Sequence, residues 1–263
     1  MKRTLPLAIL FITGMWMIFS FYIKGEVGFF KYLDQGAEWL KGKGVRTVEL
    51  GVQSMDDEVL RINRRGYRGE MVIRAVEILR RGGLQIGIQL MVGLAGEGEG
   101  SLLRTTEEVI RLRPHFVRIY PTLVIRGTVL ERWFREGRYR PLGLQEAIEL
   151  SKAMVKALEG AGIPVIRIGL QPTPSLKEAV VAGPFHPAFG QLVRSRILLQ
   201  EAEALLHAHR GGRVASFRVA KRDLADFYGQ RGENIRRLRE RFSLHEVRII
   251  PDPSLPRGEV RWA

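Results

Sequence analysis

Three stretches of the chain carry residue types that do chemistry. In "VELGVQSMDDEVL", Val48 to Leu60, an apolar alternating run ends at Gly51, Gln53 and Ser54 and passes straight into an acidic helix start. A glycine there lets backbone approach a ligand with no Cβ in the way, and the amide and hydroxyl offer hydrogen bonds to a ribose or an amino-acid end. The same residues fit a second reading. Ser54, with Asp57 three positions on and Asp56 and Glu58 in the first turn, makes a capping box. "GLAGEGEGS", Gly93 to Ser101, follows another apolar run and reads either as a cofactor loop or as an ordinary glycine-rich strand-to-helix turn. "GQRG", Gly229 to Gly232, joins two amphipathic segments in an arginine-rich tail. His115 and His186 have no partner at ligand spacing and are expected to be structural. Cysteine is absent from all 263 residues, which excludes disulfides, thiolate catalysis and any cysteine-ligated zinc or iron–sulfur cluster within the chain.

Charge narrows the partners. Lys and Arg total 42 against 28 acids, a formal charge of +14, so RNA, DNA or acidic lipid is the first partner class. Of the 42, 33 are Arg, which suits two-pronged contacts to phosphate and equally suits the coding bias of a GC-rich genome. A chain of 263 residues with 45% hydrophobic content buries a real core, as one large domain and one small one.

These groups need a scaffold, and from Gly44 onward short apolar runs alternate with amphipathic segments, the signature of βα units and a parallel sheet. Strands are expected at Val45–Gly51, Gln85–Leu94, Phe116–Ile125 and Ile163–Pro172, and helices at Glu70–Arg81, Ser101–Leu112, Leu144–Glu159 and Pro187–Ala208. In such sheets ligand groups collect at the carboxyl ends of strands, and each of these strands has Gly, Ser, Thr, Gln or Pro at or near its end. "HRGGR" reads as a hinge to a basic tail.

Taken together, "VELGVQSMDDEVLRINRRGY", "IQLMVGLAGE", "VRIYPTLVIRGTVLERWFREGRY" and "RIGLQP" resemble the back half of the radical S-adenosylmethionine (SAM) domain of the Elongator catalytic subunit and its bacterial relatives. The "YPTLVIRGT" block is the specific part, and the resemblance runs from about Tyr32 to the C-terminus. It implies an α/β fold, an incomplete TIM-type barrel. It also implies a SAM pocket lined by Gly51, Gln53 and Ser54 at one strand end and by Gly93 to Glu97 at the next. By resemblance again, complete relatives use a [4Fe–4S] cluster to split SAM and act on tRNA. The chain departs from the pattern in places. The family's Cys-bearing loop and Gly-Gly segment are not present, and Ala95 stands where Pro is common. The cluster therefore has no ligands in this chain, no metal site is expected, and the catalytic residues stay unassigned.

The tail "RVASFRVAKRDLADFYGQRGENIRRLRERFSLHEVRII" reads as strand, helix, Gly-x-x-Gly, helix, strand, with Ile235, Leu238 and Phe242 on one helix face. It resembles the minimal KH module, a small α+β (βααβ) domain whose GxxG loop clamps the backbone of about four nucleotides. From Arg210 to Ala263 there are 13 Lys and Arg against 7 acids, a balance of +6. RNA contact is expected at Gly229, Gln230, Arg231, Gly232 and Arg236.

The expected organisation is a hydrophobic segment at 1–31, a partial radical SAM barrel at 32–209 and a KH-like domain at 210–263. The run "LPLAILFITGMWMIFSFYI", Leu5 to Ile23, is charge-free and close to a spanning length. It reads as a signal anchor, as a buried element of the core, or as residues foreign to the natural frame, and the last is the expectation. The chain is then cytoplasmic, and membrane-anchored if the segment is genuine. The parallel sheet leaves an edge near Val48 that something has to cover. Two functions compete: an incomplete Elongator-like radical SAM protein with SAM and RNA, chiefly tRNA, as partners, and a non-catalytic RNA-binding protein, anchored or free, that keeps a barrel remnant as scaffold.

Overall fold

The computed structural model describes residues 10–12, 15–17, 26–209 and 212–263. The run from Leu5 to Ile23 lies mostly outside the described residues, as do Arg210 and Gly211 of the expected hinge. The chain divides into two compact units, Met1–Phe185 and His186–Ala263.

The first unit runs β1 (Leu10–Ile12), β2 (Met15–Met17), α1 (Glu26–Gly42), β3 (Thr47–Gln53), α2 (Asp57–Ile62), α3 (Gly69–Arg81), β4 (Gln85–Val92), α4 (Glu99–Leu112) and β5 (Phe116–Pro121). It continues through β6 (Val124–Ile125), α5 (Val129–Arg135), α6 (Leu144–Gly160), β7 (Val165–Ile168), α7 (Pro174–Ala179) and β8 (Val180–Ala182). The sheet order is β2-β1-β3-β4-β5-β7, with β3, β4, β5 and β7 parallel. Along these four parallel strands sequence order equals spatial order, as in a barrel wall built from βα units. The edge near Val48 is continued by β1, antiparallel to β3 at Phe11–Glu49, and then by β2.

Alternation along the strands separates two chemistries. Val48, Ile86, Ile88, Leu90, Val117, Ile119 and Val165 are buried. The opposite parity carries Glu49, Gly51, Gln89, Arg118 and, at the open end, Met91 and Tyr120, which pair in register. Buried Glu49 accepts hydrogen bonds from Gln89 Nε2 at 2.9 Å and from Arg118 Nε and Nη2 at 3.2 and 3.0 Å, tying three neighbouring strands on that face. Gly87 is glycine because a Cβ there would come within 2.3 Å of the Phe116 ring.

Expected boundaries move at several elements, and two of the moves reshape the strand ends. The strand expected to end at Gly51 runs to Gln53, with a register shift between them, because Val52 buries its side chain and extends the apolar run. The single strand expected at Phe116–Ile125 breaks after Pro121, and Val124–Ile125 pairs antiparallel with β8 in a separate two-stranded sheet.

The second unit runs α8 (Phe189–Ala208), β9 (Val214–Ala220), α9 (Leu224–Tyr228), α10 (Glu233–Phe242), β10 (Glu246–Asp252) and β11 (Val260–Trp262), with the sheet order β10-β9-β11. Strand β9 is central, parallel to β10 and antiparallel to β11. Helix α8, read from sequence as the end of the barrel, sends Leu198, Leu199, Ala202 and Leu206 into one core with Ala215, Phe217, Phe227 and Leu238.

Candidate functional site

At the carboxyl ends of β3 and β4 the chain folds two connections tightly. Gln53 sits at φ 63, in the left-handed region that few side chains adopt without cost. It follows Gly51 and Val52, whose carbonyls both accept from Tyr67 Oη, at 3.0 and 2.9 Å. Burial pushes the Tyr67 phenol up to about 12, so it stays a donor. Ser54 is fully buried. Its hydroxyl shares a hydrogen bond with Thr105 Oγ1 at 3.1 Å and accepts from the Asp56 N–H at 3.2 Å.

The capping-box reading of Ser54 is corrected: the cap of α2 is Asp56, whose carboxylate accepts from the N–H groups of Glu58 and Val59, both at 3.1 Å. An aspartate two residues nearer the helix offers a shorter reach and a full negative charge to the helix end. Burial opposes that charge, but the Arg104 guanidinium and the two N–H donors outweigh it and hold the Asp56 carboxyl below the usual range.

The second connection closes on itself. Gly93, at φ 85, would bring a Cβ within 2.7 Å of Leu142 Cδ1. Glu97 Oε2 accepts from the N–H groups of Gly93 at 2.6 Å and Leu94 at 3.2 Å, and Tyr139 Oη donates to the Gly93 carbonyl at 2.6 Å. Glu97 Oε1 is buried with no hydrogen-bond partner among the described residues. Burial raises the Glu97 carboxyl to about 7 despite the two backbone donors. Burial, and next the nearby Glu97 charge, push the Tyr139 phenol up to about 12. Gly51, Gln53, Ser54, Gly93 and Glu97 thus lie at the ends of neighbouring strands, but Ser54 and half of Glu97 are engaged in holding the loops. Tyr139 is 42 positions beyond Glu97, and no sequence signal announces it.

His115 Nδ1 accepts from the Ile86 N–H at 3.0 Å, and His186 Nδ1 from the Ala188 N–H at 3.1 Å. Both therefore serve structure. Among the described residues no group of three His, Asp or Glu is placed to hold a metal. No helix among them is long and apolar enough to cross a membrane.

In the second unit the loop between α9 and α10 is built for a left-handed path. Gly229 takes φ 71 and ψ 173, Arg231 φ 53 and Gly232 φ 70. The first of these is open to glycine alone. Buried Asn234 braces the loop from beneath, donating to the Phe227 carbonyl at 3.1 Å and to Ser195 Oγ at 2.9 Å. Beside the loop runs a groove of about 670 Å³, lined by Tyr228, Gly232, Ile235, Arg236, Arg239, Glu240 and Leu244. Its lining sets apolar Ile235 and Leu244 and the exposed Tyr228 ring beside exposed Arg236, Arg239 and Glu240. Of the four arginines on α10, Arg236, Arg237, Arg239 and Arg241, two pair with Glu203: Arg237 at 3.8 Å and Arg241 at 2.8 Å. Gly232 and Arg236 reach the groove; Gly229, Gln230 and Arg231 form the turn leading into it. Asn234 and Tyr228 were missed in the sequence, although both adjoin the GxxG.

Comparison with known proteins bears on the parallel-sheet unit. The model described as "Radical SAM superfamily" matches residues 19–109, and that described as "Radical_SAM C-terminal domain" matches residues 114–198. The chain is 42% identical over 101 residues to the tRNA uridine(34) acetyltransferase of Dehalococcoides mccartyi, covering 37% of this chain and 22% of that protein. It is 37% identical over 110 residues to the protein of the same name from Methanocaldococcus jannaschii, covering 41% of this chain and 20% of that protein. It is 33% identical over 110 residues to human Elongator complex protein 3, again covering 41% and 20%. The solved structure of archaeal Elp3 from Methanocaldococcus infernus, with N-terminal residues 1–46 deleted, superposes with a TM-score of 0.54 at 28% identity. That match covers 62% of this chain and 38% of that one. The match spans about a fifth of the length of these three curated relatives.

Proposed function

Because the chain belongs to the radical SAM superfamily, in its Elongator-like branch, we propose that it serves tRNA modification in the cytoplasm as a SAM-facing and RNA-binding element. The observation that carries the RNA half is the groove beside Gly229–Gly232, where Arg236 and Arg239 make no ion pair with a described residue while their neighbours do. Apolar and aromatic side chains beside guanidinium groups that make no ion pair suit a single strand, whose bases have flat apolar faces and whose phosphates are anionic.

The family implies SAM and a [4Fe–4S] cluster, and the two fare differently here. Three thiolates are needed for the cluster and the chain has no cysteine, so its residues do not fit that group and no step is derived through it. For SAM the fit is partial. Gln53 at the β3 end is a polar group left for a ligand, while Ser54 and Tyr67 hold the backbone on which it stands and Glu97 is buried in its own loop. SAM, when bound, supplies an adenosyl group carried on a sulfonium.

The missing thiolates favour a second reading, a non-catalytic RNA-binding protein that uses the partial barrel as scaffold. One pair of assays on the purified chain separates them. Under anaerobic, reducing conditions with SAM, no 5′-deoxyadenosine is expected; its formation would overturn the assignment of the chain as a cluster-free element. In equilibrium dialysis, SAM binding weakened by Gln53→Ala supports the SAM-facing reading, and absence of SAM binding leaves the scaffold reading.

A further inference from the structure

We infer that the free edge of β10 pairs with β10 of a second copy of this chain, antiparallel and about a two-fold axis at Val247. Strand β10 ends the sheet of the second unit: β9 lies on one side of it, and no described strand lies on the other. An edge strand presents a row of backbone donors and acceptors that either goes to water or recruits another strand. Val247 and Ile249 pack against the core, so Glu246, Arg248 and Ile250 stand on the opposite face of the sheet. All three are exposed, Ile250 to 46%.

The chemistry of that face selects a protein over a polyanion, and its charge pattern selects a second copy. Arg218, Arg261 and Ile250 lie side by side across the three strands, with Arg248 next along β10. Each of the three arginines is already engaged: Arg218 with Asp252 at 2.8 Å, Arg248 with Glu246 at 2.9 Å and Arg261 with Glu259 at 2.5 Å. A phosphate would have to displace a carboxylate at every one of them. An edge lined with charges of one sign repels its own copy in every register. This edge alternates in sign, so sign sets the register. With Val247 opposite Val247, each Glu246 stands opposite Arg248 of the second copy, and four charges alternate about the axis. An axis at Glu246 or at Arg248 sets like charges face to face, and an axis at Ile249 sets Glu246 against Asp252. Pro251 has no N–H to give a ladder and ends the pairing on that side, which leaves the stretch centred on Val247 as the part of the edge that pairs. The contact uses the same patch on both copies, so it closes at two and joins two three-stranded sheets into one of six strands. An interface of one strand edge is small, and the dimer it forms is weak and reversible.

The test is sedimentation equilibrium of the full chain over a concentration series, in enough salt to screen its net charge of +14. The parent is expected to show a monomer–dimer equilibrium. Arg248→Glu and Glu246→Arg should each weaken the dimer at least tenfold, because each sets two like-charged pairs across the axis. The double variant Glu246→Arg/Arg248→Glu should restore it, and an equimolar mixture of the two single variants should form a heterodimer. That mixture isolates the contact between copies, since an ion pair that matters only within its own strand stays broken there. Neither single substitution should lower the unfolding temperature appreciably, because both side chains are exposed. The double variant has the parent's net charge and should bind tRNA as the parent does. A parent that stays monomeric, a dimer indifferent to both single substitutions, or folded single variants that fail to combine would overturn the proposal. Loss of tRNA affinity in the double variant would assign the face to RNA and overturn it as well.

Discussion

Two glycine-bearing loops, each leading into a helix, look alike as text and differ as objects. The loop from Gly93 to Glu97 is filled from all sides: Leu142 occupies the space beside Gly93, Ile62 that beside Gly96, and Glu97 consumes two backbone donors. The loop from Gly229 to Gly232 is braced only from beneath, by Asn234, and a Cβ on Gly232 would meet nothing within 4 Å. The first loop uses glycine because side chains crowd it. The second uses glycine to turn the chain while leaving its outer surface open. A glycine pattern therefore reports a backbone path, and only the surroundings tell whether that path serves packing or a partner.

The sharpest way to break the comparison is to add one methyl group to the first loop. Gly93→Ala places a Cβ both in the left-handed region, at about 1–2 kcal/mol, and against Leu142, at about 1–3 kcal/mol for overpacking. Denaturant unfolding of the first unit should show a loss of roughly 2–5 kcal/mol, and a loss below about 1 kcal/mol would mean the loop is not packed as described.

The buried carboxylate of that loop gives the next effect. Glu97 has an ordinary value of 4.5 and is raised to about 7 in the folded chain, so the folded state binds the extra proton between those limits. Stability is then highest below about 4.5 and falls as pH rises toward 7, by at most about 3 kcal/mol. Glu97→Gln should remove that fall. Its unfolding temperature should exceed the parent's at pH 8 and match it at pH 4.5; parallel pH profiles for the two proteins would contradict the burial argument.

In the second unit, Asn234→Ala leaves the Phe227 carbonyl and the Ser195 hydroxyl without their donor, a cost of about 2 kcal/mol. The RNA affinity should fall with it, because the loop loses its brace. Gly232→Ala meets open space and carries only the left-handed penalty, about 1 kcal/mol. If Gly232→Ala proved as damaging as Gly93→Ala, the contrast between the two loops would fail.

The sequence disclosed the parallel sheet because each of its strands is an apolar run with the right breaks, and apolar burial on one face is a local signal. It disclosed the strand, helix, GxxG, helix, strand order of the tail for the same reason. What it hid was set by partners far along the chain. Ser54 looked like a cap because a cap is a local pattern, yet Thr105, from α4, claims its hydroxyl. Glu97 looked like a pocket wall, and only Tyr139 and Leu142 reveal how closed that wall is. The arginines around the GxxG were indistinguishable in the sequence until Glu203 on α8 neutralised two of them. The long helix itself was read with the barrel, since nothing in its own sequence tells which core its leucines enter.

The central claim is that the open loop and its groove hold RNA through phosphate contacts, and binding of the full chain to tRNA across a salt series tests it most directly. The parent's affinity should fall steeply with salt, and Arg236→Glu with Arg239→Glu should weaken binding at least tenfold and flatten the logarithmic salt slope by about 2. Replacing Gln230 and Arg231 together by Asp should act in the same direction, while Arg237→Gln, at an arginine already paired with Glu203, should change little. A folded Arg236→Glu/Arg239→Glu protein that binds tRNA with the parent's affinity and salt slope would contradict the account.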